Sequence, residues 1–173
     1  PGGLFIEPKT QVLYVADIQH NRVLKSLGYG ELVTVAGQSN GTGGSSAETL
    51  WLPVDVFADE DENVYVADWS NHRIQYWAKN ATSGKTVAGN GTRGSALNQF
   101  SYPSRVVVDS KKNIIVADTQ NARVTKWPFS FDPSTSIGTI IAVCVRVVTF
   151  FVQLDSRFVS GWKWCWYQPI SIE

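Results

Sequence analysis

Three pairs of oppositely charged side chains recur at one spacing: Asp17 with Arg22, Asp68 with Arg73, and Asp118 with Arg123. An Asp just ahead of an Arg can hold an ion pair across a tight turn, and Asp side chains also bond turn backbone in the Asx manner. A single such pair would be a candidate for polar recognition at a loop. Pairs repeated within matching segments read as structural turn pairs. The two histidines, His20 and His72, fall in the same turns at neighbouring, non-equivalent places. A catalytic zinc takes at least three protein ligands, so no metal site and no cofactor are expected. No nucleophile with an adjacent base and no acid–base pair stands out, and no catalytic residue is assigned. The glycine-rich runs 37–46 and 89–95 lack the Gly-Lys-Ser/Thr ending of a phosphate loop and read as connections. Asn40-Gly-Thr, Asn80-Ala-Thr and Asn90-Gly-Thr are candidate N-glycosylation sequons in loops, which leans the reading towards a secreted or cell-surface protein.

The charged pairs sit in an internal repeat. Residues 13–23, 64–74 and 114–124 superimpose without gaps, and their Val-Ala-Asp copies lie 51 and then 50 residues apart. Pro1, Pro53 and Pro103 each lead a short apolar run that ends in an acidic residue, Glu7, Asp59 or Asp109. Thr34-Val-Ala-Gly37 recurs as Thr86-Val-Ala-Gly89 and, degraded, as Thr139-Ile-Ile-Ala142. Runs of Val, Ile, Tyr and Phe between clusters of Asp, Asn, Gly and Ser have the form of strands bounded by turns. The pattern predicts four strands per unit, at 3–7, 12–17, 22–27 and 32–37, then 54–58, 63–67, 73–78 and 85–88, then 105–109, 113–117, 123–127 and 139–142. Helix should be scarce, because no sustained 3.6-residue apolar period occurs. Four antiparallel strands in about 50 residues is the build of a propeller blade. Such a blade needs neighbours to cover both its faces, here with Val64 and Val66 on one face and Tyr65 and Ala67 on the other.

The Val-Tyr-Val-Ala-Asp-x4-Arg-[Val/Ile] motif, with the Pro-led strand before it and the Val-Ala-Gly strand after it, closely resembles the NHL repeat over residues 1–142. The resemblance implies an all-β, partial β-propeller of about three four-stranded blades: 1–53, 54–103 and an incomplete 104–142. Propellers need four to eight blades, so three imply an incomplete ring. Family repeats usually carry Gly just after the Pro, as at Gly3, whereas Asp55 and Arg105 stand there in the next two units. Charges of opposite sign at equivalent places on innermost strands are the candidate binding residues. Their bland alternative is a solvated ion pair, and changing either to Gly is expected to leave folding nearly intact. The resemblance implies a non-enzymatic binding scaffold, most simply for a protein partner. Two alternatives are the recognition part of a tripartite-motif type ubiquitin ligase, some of which bind RNA, and a propeller like peptidyl-hydroxyglycine amidating lyase, which holds zinc through histidines.

Charge argues against nucleic acid: 15 basic residues balance 15 acidic ones and the pI is about 7.2, so no basic footprint is present. The chain has no Met, which reads as a start inside a longer frame, where a leader cannot be sought. After Ala142 the repeat stops. Residues 143–173, with Cys144, Cys165 and a Trp-Lys-Trp-Cys-Trp-Tyr run at 162–167, read as an atypical tail translated from a retained intron or a shifted frame. As a membrane span, 137–152 is short of the roughly twenty residues required and carries Arg146.

Overall fold

The computed structural model describes residues 1–132 and 137–143 of the 173-residue chain; both cysteines and the tail beyond Val143 lie outside the described residues. Within them the fold is all-β, in three four-stranded antiparallel sheets, each a meander of successive strands. The first contains β1 (Leu4–Ile6), β2 (Leu13–Asp17), β3 (Arg22–Gly28) and β4 (Glu31–Gly37). The second contains β5 (Pro53–Ala58), β6 (Val64–Asp68), β7 (Arg73–Trp77) and β8 (Lys85–Ala88). The third contains β9 (Pro103–Val108), β10 (Ile114–Asp118), β11 (Arg123–Trp127) and β12 (Thr139–Val143). These three sheets are propeller blades, and their strands fall where the repeat predicts them to within two residues. No described helix is long and apolar enough to cross a membrane.

Between the second and third strand of each blade the chain makes a single turn of 3-10 helix: Ile18–His20, Trp69–Asn71 and Thr119–Asn121. Each turn ends on a left-handed residue, Asn21 (φ 48°), His72 (φ 52°) or Ala122 (φ 50°). Asn tolerates that region, while His and Ala do so at greater cost. The backbone therefore repeats more faithfully than the sequence at this place.

Side-chain alternation along each strand sends one set of residues to the preceding blade and the other to the following blade. Val56, Ala58, Val64 and Val66 of the second blade bury against Tyr14, Ala16, Val23 and Ala36 of the first. One step along, Val106, Val108, Ile114 and Val116 of the third blade bury with Tyr65, Ala67, Ile74 and Ala88 of the second. All five residues of β6 are consequently buried, whereas β2 and β10, in blades covered on one side, alternate between buried and half-buried. Each core also takes a wedge from the connection that enters the blade. Leu50 fills the first core, and Phe100 fills the second with its ring 5.0 Å from that of Trp127.

The wedges make a testable prediction. Phe100→Ala should lower the unfolding free energy by about 3–5 kcal/mol, from lost transfer energy and the cavity left behind. Leu32→Ala, at a site 51% exposed, should stay within about 0.5 kcal/mol of the parent. Urea unfolding of the two variants compares them directly.

Candidate functional site

The repeated Asp–Arg pairs lie where the second and third strands of each blade meet, and each aspartate is opposite its arginine in the strand register. In the second blade Arg73 Nε donates to Asp68 at 2.8 Å, and in the third Arg123 Nε donates to Asp118 at 2.7 Å. The remaining guanidinium nitrogens turn to the incoming connection. Arg73 donates to the carbonyls of Ser45, Ser46 and Thr49, and Arg123 to those of Ser95, Ala96 and Gln99. The other carboxylate oxygen accepts the N–H of Trp51 at Asp68 and of Ser101 at Asp118, both at 2.7 Å. Asn71 and Asn121 complete the arrangement by bridging the carboxylate to the carbonyls of Gly44 and Gly94. The Asx bonding expected of these aspartates is therefore not what fills them. Their carboxylates cap no backbone N–H of their own turn and take their one backbone donor from the incoming connection. Glu7, Asp59 and Asp109 do bond the backbone of their own turns, two to four residues on.

In the first blade the same pair is more open. Asp17 is 18% exposed against 0% for Asp68, and it takes Arg22 Nε at 3.1 Å and His20 Nδ1 at 2.9 Å. Burial pulls the Asp17 carboxyl upward, but His20 and Arg22 outweigh it and leave it below its usual range. His20 thus occupies the place of Asn71 and Asn121. His72 acts differently, as an acceptor: its Nδ1 takes the N–H of Tyr102 at 3.3 Å, as Asn21 Oδ1 takes that of Leu52 at 2.9 Å. Leu52 and Tyr102 are themselves left-handed, at φ 53° and 58°, so each junction ties two strained residues together. Among the described residues no three His, Cys, Asp or Glu side chains gather as metal ligands.

The candidate pair on the inner strands is brought together. Arg105 Nη1 lies 3.0 Å from Asp55 Oδ1, and Asp55 Oδ2 accepts the N–H of Val106 at 3.0 Å. The pair is solvated on one side only: Asp55 is buried while the Arg105 side chain is 44% exposed. Burial pushes the Asp55 carboxyl above its usual range, with the Val106 N–H and the Arg105 guanidinium opposing. Replacing Asp55 by Gly would strand the Val106 N–H and so carries a cost that replacing Arg105 does not. Gly3 is required opposite: a Cβ there would overlap the Asp55 carboxylate and lie 2.9 Å from its Cα. At the same end of the blades Trp69 packs on Tyr102 with ring centroids 4.3 Å apart, and Arg93 lies 5.0 Å from the centre of the Tyr102 ring. Repeat comparison alone does not find this cluster, because its counterparts in the preceding junction are Ile18, Leu52 and Gly43. The sequons lie in loops, where Asn40 and Asn90 accept the N–H of Thr42 and Thr92 and Asn80 is left-handed at φ 61°.

Two outcomes follow from these junctions. Asp118→Ala leaves a buried guanidinium without its partner and should cost about 3–5 kcal/mol, against about 1 kcal/mol or less for Asp17→Ala at the more open pair. His72 accepts a hydrogen bond only while Nδ1 is unprotonated, and burial, aided by Arg93 and opposed by Asp118, lowers its affinity for a proton. The unfolded chain then binds the proton more tightly, so stability should fall as pH drops below about 6.5. Urea midpoints at pH 7.5 and 5.5 measure that loss, and His72→Asn, which restores the residue of the first blade, should reduce it.

The sequence profile of the family described as NHL repeat matches residues 50–76 and 100–127. Both matches open on the apolar wedge, Leu50 or Phe100, and run through the Asp–Arg pair to the third strand. No curated protein matches the sequence. An auxiliary nutrient binding protein from Bacteroides thetaiotaomicron is similar in structure over 71% of this chain and 36% of its own, at 20% identity and a TM-score of 0.57. One from Bacteroides ovatus is similar over the same shares, at 21% identity and a TM-score of 0.55. A virginiamycin B lyase from Staphylococcus aureus, at 10% identity, aligns over 72% of this chain and 36% of its own with a TM-score of 0.47. This chain spans only 36% of the length of the Bacteroides proteins, and its likeness to them is one of fold. The chain is an array of β-propeller blades, in which the NHL repeat profile matches at residues 50–76 and 100–127.

Proposed function

We propose that the chain is a non-enzymatic binding scaffold, and that its partner, a protein, meets the end of the blades at which the inner strands begin. The observation that carries this reading is the Arg105 guanidinium. One of its nitrogens is fixed to a buried carboxylate on the neighbouring blade, and 44% of the side chain is open to solvent. A cation oriented in this way suits a carboxylate or backbone carbonyl of a partner segment, because Arg presents its donors in a rigid fork. The charged groups of the turns, by contrast, are occupied in holding connections. Asp68 and Asp118 are fully buried with both oxygens bonded inside the junction, an arrangement that keeps them from contact with a partner. Trp69, Tyr102 and Arg93 extend the same end with aromatic and guanidinium groups, residue types enriched in protein interfaces.

The reading is tested with the full chain as bait in native extract, the wild type beside Arg105→Gly and beside Lys79→Ala, a change at an exposed site. A protein retained by the wild type and Lys79→Ala and lost by Arg105→Gly is the expected result, with the thermal midpoint of Arg105→Gly near that of the parent. Retention unchanged in Arg105→Gly removes the site from this role. Recovery of RNA in place of protein, or turnover of a peptidyl-hydroxyglycine, overturns the proposed partner and the non-enzymatic reading respectively.

A further inference from the structure

At the end of the blades where the inner strands begin, most charged groups are already committed. Arg22, Arg73 and Arg123 each hold an aspartate and at least one backbone carbonyl. Arg93 differs: it lies in the connection from the second blade to the third and, among the described residues, meets no carboxylate. Its Nε donates to Ser101 Oγ at 3.2 Å, its Nη2 donates to Gln120 Oε1 at 3.1 Å, and the guanidinium stands over the Tyr102 ring. Neutral partners thus fix the plane of an exposed cation and leave its charge unopposed. The exposure does not come from the lack of a neighbour. Gly43, at the equivalent place, is exposed although the blade that it leads into is covered on both sides. Nor does the connection need this side chain. It is held by Arg123 and Asn121, as its predecessor is held by Arg73 and Asn71 with glycine in place of Arg93.

We propose that Arg93 takes a carboxylate from an acidic peptide segment, and that this is the chemistry of the protein partner at this end of the blades. The inference rests on the reading of that end as the one a protein meets. Charge complementarity favours such an occupant. Of the charged groups at the second junction, Asp55, Asp68, Arg73, Asp118 and Arg123 are buried and bonded, whereas Arg93 and Arg105 are exposed. The accessible charge there is therefore of one sign, and within a chain of no net charge it is local. Arg105 stands three residues past Tyr102, at most about 11 Å of chain from it. A segment with several carboxylates thus finds a second cation on the same end. A guanidinium already held in plane by Ser101, Gln120 and Tyr102 loses little freedom on binding, which favours a side-on carboxylate.

Fluorescence anisotropy with the full chain tests this, using short fluorescein-labelled peptides of alternating Glu and Gly or of alternating Gln and Gly. The Glu peptide should bind, more weakly as salt is added, and the Gln peptide should not. Arg93→Gln should weaken binding of the Glu peptide about tenfold or more, with a melting curve like that of the parent. Arg93→Gly, which copies the preceding junction, replaces it if the curve differs. Failure of the Glu peptide to bind better than the Gln peptide, or equal binding by the variant, would overturn the inference. So would an oligouridylate that binds more tightly than the Glu peptide and is lost in the same variant, since the occupant would then be RNA. These outcomes are independent of retention by Arg105→Gly, which decides the underlying reading of the site.

Discussion

A carboxylate with no access to water must have its oxygens filled by donors, or its burial becomes prohibitively costly. Asp68 and Asp118 are in that position, and the donors they find define the junctions between blades. One comes from the third strand of the same blade, through Arg73 or Arg123, and one is a backbone N–H of the connection arriving from the blade before, at Trp51 or Ser101. The arginine then directs its other nitrogens to three carbonyls of that connection. A glycine-rich loop, which would otherwise have many conformations, is thereby held at both its donors and its acceptors. The residue three places before Pro53 or Pro103 is brought to the core as a consequence, and the apolar wedges Leu50 and Phe100 are delivered by the same geometry.

This directionality explains why the blades differ although their sequences match. The first blade has the Asp and the Arg but, among the described residues, no connection arrives at it. Its pair is correspondingly looser, with His20 supplying the bond that Asn71 and Asn121 supply elsewhere. The middle blade has partners on both sides, and its second strand is buried throughout. Stability in such an array is a sum of blade and junction terms, so the same substitution carries a different cost in each copy.

Much of this was legible in the residues. Strands, their order within the unit and the two-sided burial of Val64, Val66, Tyr65 and Ala67 follow from period-two alternation and from the repeat. The closeness of Asp55 to Arg105 follows once both are assigned to adjacent inner strands. Other features were not legible, because they depend on which donor is nearest in three dimensions. Nothing local indicates that Asp118 bonds the N–H of Ser101 and no backbone N–H of its own turn, or that His72 stands in for Asn21 as an acceptor. The burial of Asp55 was likewise hidden, since a charged residue at a glycine position reads as solvated until Val106 is seen beneath it. The requirement for Gly3 becomes visible only with Asp55 in place, because it is the close approach of the two inner strands that excludes a Cβ.

The buried ion pairs need not be the main source of stability. Desolvating two charges offsets most of their attraction, and such pairs replaced together by apolar groups are often neutral. Apolar burial is the larger favourable contribution here, through Leu50, Phe100 and the alternating strand residues. That contribution is not directional, however, and by itself leaves the path of the incoming loop open. The Arg fork removes this ambiguity. Its nitrogens reach Ser95, Ala96 and Gln99 together in one register only, and a slipped loop would leave both the guanidinium and the Asp118 carboxylate buried without partners. The apolar core makes the junction strong, and the charged pair determines which residue enters it. On that division of labour the inner strands are coupled separately, through Asp55, which bonds Val106 and Arg105 of the next blade and requires Gly3 beside it in the blade before.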